Sequence, residues 1–348
     1  VKRRFPIGKH LRFIEAQLQR MKQLNVAIIG CGLVGQKRAA QLAGCTLVAC
    51  ADADFKRAQS LAAQHSGAEA VKEWRDAVER KDVDIVIVAT PHYLLAPITL
   101  AAVKAGKHVL VEKPAAHHPE ELDDIERAAK RAGVLVRVGF NHRYHPTFQK
   151  ARELVDAGAL GELMFVRARY GHGGRVGYDR EWRADPKLAG GGELLEQGVH
   201  IIDLARWFLG NFTEVEGFAH TYFWNQKVDD NGFMLLKTAK KQVAFMHASC
   251  TEWKNTFSFE IYGKVGKLDI FGLGGSYGTE RITLYAMQPE MGPPPTTIWE
   301  FPMADKSWGV EFAEFVQDIQ KKRQPSANIA DARAAWKVVR RIYEISNK

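Results

Sequence analysis

Asn25-Val-Ala-Ile-Ile-Gly30-Cys-Gly32-Leu-Val-Gly35 decides how this chain is read. An apolar, β-branched run stops at a glycine, two more glycines follow in the spacing G-x-G-x-x-G, and a helical pattern begins. In that context the first glycine permits a tight turn, the second lets the backbone approach a pyrophosphate, and the third lets helix pack on strand. The N–H groups of the new helix are free to meet a phosphate. Asp52 ends the next strand, near the interval of about 20 residues at which an acid meets a ribose. The expected dinucleotide contacts are Gly30, Gly32, Leu33, Val34, Gly35, Asp52 and Arg57. A purely structural glycine turn is the competing reading, and the strand, helix and acid together argue against it. The Asp52 carboxylate would accept from ribose hydroxyls and repel a 2′-phosphate, which favours NAD; Lys56 and Arg57 leave NADP open.

Outward from this turn, short β-branched runs at 26–29, 46–49, 83–88, 108–111 and 134–138 alternate with helical patterns around 34–43, 54–65, 73–80, 95–105 and 119–132. Continuous apolar strands alternating with helices imply a parallel sheet covered on both faces, a doubly wound Rossmann architecture. Two strand ends on the same edge carry polar residues. Thr90-Pro91-His92 offers further cofactor contacts, although a lone histidine there is more often a surface residue. Lys107-His-Val-Leu-Val-Glu112-Lys113-Pro114 ends a strand in an acid, a base and a proline, delivering an ammonium group beside a dinucleotide site.

After Pro146 the pattern changes. A helix at about 147–157 is followed by a strand at 163–170, the run Gly190-Gly-Gly192 and an apolar helix ending near Leu209. Strands are expected near 214–224, 232–238, 242–251, 257–262, 267–271, 281–287 and 298–302, joined by short turns as in a large, mostly antiparallel open sheet. Helices near 308–322 and 329–345 close the chain. The expected organisation is a basic extension over 1–23, a Rossmann domain over 24–142 and a substrate-binding and oligomerisation domain over 143–348.

The 348 residues suit two domains, and 46% hydrophobic residues can form a substantial core. The formal charge of +9 is concentrated in the first 22 residues, where Lys2, Arg3, Arg4, Lys9, Arg12, Arg20 and Lys22 face Glu15 alone. No basic and aromatic platform of the nucleic-acid type follows. No stretch approaches the roughly 20 apolar residues of a membrane span. The leader lacks a secretory signal pattern and reads as an upstream extension or a packing arm. Cys31, Cys45, Cys50 and Cys250 form no C-x-x-C pair, as expected of a reduced cytoplasmic protein.

Glu196, His200 and Asp203 follow the glycine run at spacings of four and three, which a helix brings toward one face. A metal site is disfavoured because neither the cysteines nor an H-E-x-x-H pattern supplies further ligands, so no metal is expected. A structural histidine remains an alternative. The remaining reading is acid–base chemistry, with neutral His200 accepting a proton and carboxylates holding imidazole or substrate.

The glycine fingerprint, the Glu112-Lys113-Pro114 turn and the histidine helix together resemble the glucose–fructose oxidoreductase / inositol dehydrogenase / rhizopine-catabolism family, from Lys22 to the last helix. The resemblance implies NAD(P)-dependent hydride transfer at a hydroxyl carbon of a sugar or cyclitol, and a homo-oligomer, dimer or tetramer, built through the open sheet. It implies Lys113 and His200 as catalytic residues, Glu112 as support for lysine and cofactor, and a cis Lys113–Pro114 bond. Asn141 and Arg143, where the family crosses between domains, would line the cleft. The family more often carries aspartate where this chain has Glu196.

Between the motifs lie Arg167, Arg169, Arg175, Arg180 and Arg183 with Tyr170, Tyr178 and Trp182. Arginine suits carboxylate and phosphate, and aromatic faces suit a sugar ring or a base; a solvated strand face is the plain alternative. Arg183, in Glu-Trp-Arg ahead of the glycines, leads the substrate candidates, which are Lys113, Asn141, Arg143, Tyr170, Arg183, Glu196 and His200. The resemblance leans toward a nucleotide-linked N-acetylhexosamine or hexuronate, with a free cyclitol or aldose second. A non-catalytic NAD-binding regulator on the same fold is the reading from another class.

Overall fold

The computed structural model describes residues 2–3, 23–290 and 292–347. Among them the chain builds two sheets. The first contains β2 (Asn25–Ile29), β3 (Thr46–Ala51), β4 (Glu69–Val71), β5 (Ile85–Val88), β6 (His108–Val111) and β7 (Val136–Val138), in the order β4-β3-β2-β5-β6-β7. Every neighbouring pair is parallel. β5 is buried along its whole length, as its unbroken Ile-Val-Ile-Val run requires when helices cover both faces. Strand order reverses between β2 and β5, so the crevice outside their carboxyl ends lies where such sheets bind ligands.

The second sheet holds β8 (Leu163–Gly171), β9 (Phe212–His220), β10 (Asn231–Thr238), β11 (Val243–Ser249), β12 (Thr256–Gly263), β13 (Gly266–Phe271), β14 (Glu280–Ala286) and β15 (Thr296–Phe301), with the two-residue β1 (Lys2–Arg3) beside β15. The expected antiparallel character holds, with two exceptions: β8 runs parallel to β11, and β1 parallel to β15. Strict alternation along β12 buries Phe257, Phe259 and Ile261 against the helices of this domain. The opposite face leaves Phe218, Phe233, Leu235, Phe245 and Phe271 exposed. Apart from Lys2 and Arg3, the leader lies outside the described residues.

One element crosses the boundary read from the sequence. The helix Ser307–Lys321 buries Phe312, Phe315 and Val316 in the core that also holds Val26, Ile28 and Leu61 of the first domain. Its Glu311 accepts from Arg38 Nη1 at 2.5 Å, and the same guanidinium donates from Nε to Glu112 at 2.8 Å. Arg38 and Glu311 are buried, so the pairing matters: either charge left alone there would be strongly destabilising. The late helix thus braces the strand end that carries Lys113.

Candidate active site

The crevice at the sheet's carboxyl edge opens into a cleft of about 1150 Å³. Gly30, Gly32, Leu33, Val34, Asp52, Arg57, Thr90, Pro91, His92, Glu112 and Lys113 all line it. Gly35 does not, for the packing reason its place in the motif requires: a Cβ there would lie 2.0 Å from the Gly30 carbonyl oxygen. Gly30 has φ +94°, and its Cβ would meet the Ala89 carbonyl oxygen at 2.4 Å. At Gly32 the space is open, with nothing within 4 Å of a Cβ. Gly32 also caps the helix Leu33–Ala39 without a side-chain bond, leaving the N–H groups of its first turn to a phosphate. Asp52 accepts the Cys31 N–H at 2.7 Å and the Asp54 N–H at 2.9 Å, so one carboxylate both shapes the glycine turn and faces the ribose position. These residues fit a dinucleotide.

Across the cleft stand Arg175, Tyr178, Trp182, Arg183, Glu196, Gln197, Asn255, Ser276 and Tyr277. The Lys113–Pro114 peptide is cis. Lys113 Nζ donates to Glu196 Oε2 at 2.8 Å and to the Glu196 carbonyl oxygen at 3.0 Å. That carbonyl belongs to a π-helical turn, Leu194–Gly198, which leads into the helix Val199–Leu209; π-turns of this kind recur at functional sites. An ammonium has three N–H donors, so two are committed and one is left for a reacting oxygen. Burial alone would raise the Glu196 carboxyl, but Lys113, His92 and Arg183 outweigh it and hold it well below the ordinary carboxylate range.

His200 lies one helical turn beyond Glu196 and is only 6% exposed. Its ring stacks on His142 with centroids 3.8 Å apart, and its Nδ1 is buried without a hydrogen-bond partner. Burial, then the Lys113 charge, hold its imidazole well below the usual histidine range, against the opposing pull of Glu196. A neutral ring able to accept a proton is the result.

Four of the seven substrate candidates, His200, Arg143, Asn141 and Tyr170, are not among the residues that line the cleft. Arg143 is buried and forks onto Asp203 at 2.7 and 2.5 Å, so its donors brace the start of the second domain. Asn141 donates to Ser307 Oγ at 2.9 Å, tying the late helix down. Tyr170 is buried among His142, Phe257 and Tyr277. Of the five arginines, Arg167 pairs on the far sheet face with Glu260 at 2.8 Å. Only Arg175 and Arg183 line the cleft, and both lie near Glu181, at 2.6 and 3.7 Å. His92 is buried rather than on the surface. The sequence reading passed over Asn255, Ser276 and Tyr277; they sit in irregular connections that carry no periodic signal.

Residues 24–140 match the model of the oxidoreductase family with an NAD-binding Rossmann fold, and residues 148–269 that of the GFO/IDH/MocA C-terminal domain. Levoglucosan dehydrogenase of Pseudarthrobacter phenanthrenivorans is 28% identical over 241 residues, 63% of this chain and 60% of that protein. Inositol 2-dehydrogenase 2 of Saccharopolyspora erythraea is 34% identical, over 57% of each chain. The match to these two relatives thus spans less than two thirds of their length. The dTDP-3,4-didehydro-2,6-dideoxy-alpha-D-glucose 3-reductase of Streptomyces violaceoruber is 30% identical over 72% of this chain and 73% of its own. A solved structure of levoglucosan dehydrogenase with NADH and levoglucosan superposes with a TM-score of 0.85 at 23% identity, covering 94% of this chain and 98% of that one, and shares the fold. Two family models in tandem, and a relative of this identity and coverage, show that the chain belongs to the GFO/IDH/MocA oxidoreductase family.

Proposed function

We propose that this chain is an NAD-dependent dehydrogenase acting on a hydroxyl carbon of a sugar or cyclitol, and that Lys113 and His200 are its catalytic residues. The observation that carries the proposal is the doubly anchored Lys113 ammonium at the edge of the dinucleotide crevice, with one donor uncommitted. Bound nicotinamide supplies the hydride acceptor. Lys113 holds the substrate oxygen and stabilises the negative charge that develops on it. Neutral His200, one helical turn beyond the cleft residue Glu196, takes the hydroxyl proton. Reduction of a ketone uses the same groups in reverse. Asp52 favours NAD over NADP through its charge beside the ribose position.

For the substrate, a neutral sugar or cyclitol ring fits best, because both cleft arginines already lie near carboxylates. Named relatives act on levoglucosan and inositol, in keeping with this. A nucleotide-linked sugar is the second reading, favoured by the position of Arg175 and Arg183 on the wall beside Trp182, and by the dTDP-sugar reductase relative. The deciding experiment compares NAD reduction with free sugars, cyclitols, glycosides and nucleotide sugars; specificity confined to the last group would favour the second reading. A regulator that binds NAD without turnover would need neither Lys113 nor His200. We further propose a homo-oligomer through the aromatic outer face of the nine-stranded sheet, an apolar patch of the kind that marks an interface. The four cysteines are free, which suits the reduced cytoplasm; no helix among the described residues is long and apolar enough to cross a membrane.

A further inference from the structure

His92 opens the helix His92–Lys104 behind Pro91, and this places its ring across the cleft edge from the second domain. The side chain is 3% exposed. Its Nδ1 lies 2.7 Å from the carbonyl oxygen of Ala189, the last residue of the short helix Pro186–Ala189. Carbonyls at helix ends lack an intrahelical donor, so a side-chain N–H is the natural partner. Its Nε2 lies 3.1 Å from Glu196 Oε1. The ring edge rests on Trp182, centroids 5.1 Å apart and planes at 78°, which fixes its orientation.

Both ring nitrogens therefore face acceptors. Nδ1 meets the Ala189 carbonyl oxygen and Nε2 the Glu196 carboxylate, so one ring links a backbone turn to the carboxylate that holds Lys113. Glu196 is divided in turn: Oε1 faces His92 and Oε2 faces Lys113. An aspartate, one methylene shorter, would span this gap less well, which gives a physical reason for glutamate at this position.

We propose that His92 is a positioning residue, which pins Glu196 between the two domains so that Glu196 holds the Lys113 ammonium toward the reacting oxygen. The role rests on the reading of Lys113 as the group that meets that oxygen. Besides Glu196, the charged or titratable groups around His92 are His117 on its own domain and Lys113 and Arg183 across the carboxylate. His92 also lines the dinucleotide crevice where the sequence placed it, and the role proposed here runs through Glu196.

The test combines a double-mutant cycle with a measurement that needs no substrate. His92→Phe is expected to lower kcat about tenfold, with NAD affinity and sugar KM changed less than about twofold, and His92→Gln, which keeps a donor toward Glu196, to recover much of the loss. In a Glu196→Asp background His92→Phe should cost little more, because the pair is already uncoupled. Separately, in long-range proton–nitrogen spectra of the histidine-labelled protein, Glu196→Gln should move the His92 Nε2 signal and leave Nδ1, which faces the Ala189 carbonyl, little changed. Additive losses in the cycle, weakened NAD binding with kcat intact, or an Nε2 signal unmoved by Glu196→Gln would each overturn the proposal. Should His92→Phe not fold, His92→Gln and the spectra decide. Should the wild type turn over no sugar, the spectra still test the His92–Glu196 link, and only the proposed activity fails.

Discussion

Lys113 and Glu196, 83 residues apart in sequence, meet twice: the ammonium donates to the carboxylate at 2.8 Å and to the main-chain carbonyl of the same residue at 3.0 Å. One contact crosses from the dinucleotide domain to a side chain of the second domain, the other to its backbone. Rotation of the Glu196 side chain alone therefore does not release the lysine. The Lys113 ammonium is thus tied to the second domain through both side chain and backbone.

Replacing Lys113 with Met should lower kcat and kcat/KM together by about two to three orders of magnitude or more, since the interaction lost is one with developing charge. NAD affinity, followed by fluorescence titration, should stay within about twofold. Retained turnover would remove Lys113 from the chemistry.

The protonation of His200 gives a second expectation. Because burial and Lys113 hold its imidazole well below the usual histidine value of 6.5, proton acceptance should persist through the ordinary histidine range and fail only at more acidic pH. Lys113→Met removes a charge that lowers the His200 value, so its midpoint in an NMR titration should rise. An unchanged midpoint would mean that the two groups do not share a site.

The same burial has a consequence for stability. His142 and His200 are both held below 6.5 in the folded chain, whereas the unfolded chain binds protons on them as the pH falls through that value. More protons on the unfolded side means that stability rises with pH and is lost on acidification. The thermal midpoint should fall as the pH drops below about 6.5, and His142→Phe should flatten the slope. A slope unaltered by the variant would contradict the assignment.

Asp52→Ala should weaken NAD binding and narrow the preference over NADP, by removing both a ribose acceptor and the anchor of the Cys31 N–H. A wild type that already prefers NADP in steady-state assays would contradict the NAD reading. At the other end of the cleft, Arg183→Ala separates the two substrate readings. For an anionic nucleotide sugar the loss of a charged hydrogen bond of about 1.5–3 kcal/mol should raise KM roughly ten- to a hundredfold. For a neutral ring it should change little.

Much of this was legible in the sequence, and the reason is local. Glycine spacing, β-branched runs and helix periodicity are short-range signals, and they located the crevice: eleven of the twelve residues read as cofactor contacts line it, and the other, Gly35, packs behind the turn. What escaped depends on partners distant in sequence. β4 has only three residues, one of them exposed, too short for a pattern to register. The apolar face of Ser307–Lys321 was visible, but not that it packs into the first domain. Arg143 was read as a cleft residue because nothing in the sequence ties it to Asp203, 60 positions on. His92 was read at the crevice, which it lines, but its link to Glu196 was not, because that residue lies more than a hundred positions away in a segment whose π-turn has no sequence signature.

The central claim is hydride transfer at the Lys113 end of the cleft. It is tested most directly by mixing purified wild-type protein and its Lys113→Met variant with NAD and a panel of sugars, cyclitols, glycosides and nucleotide sugars, and following NADH absorbance. Substrate-dependent NADH formation by the wild type and its loss in the variant, with NAD still bound, is the result expected. NAD binding without turnover of any member of the panel, or equal turnover by both proteins, would contradict the account.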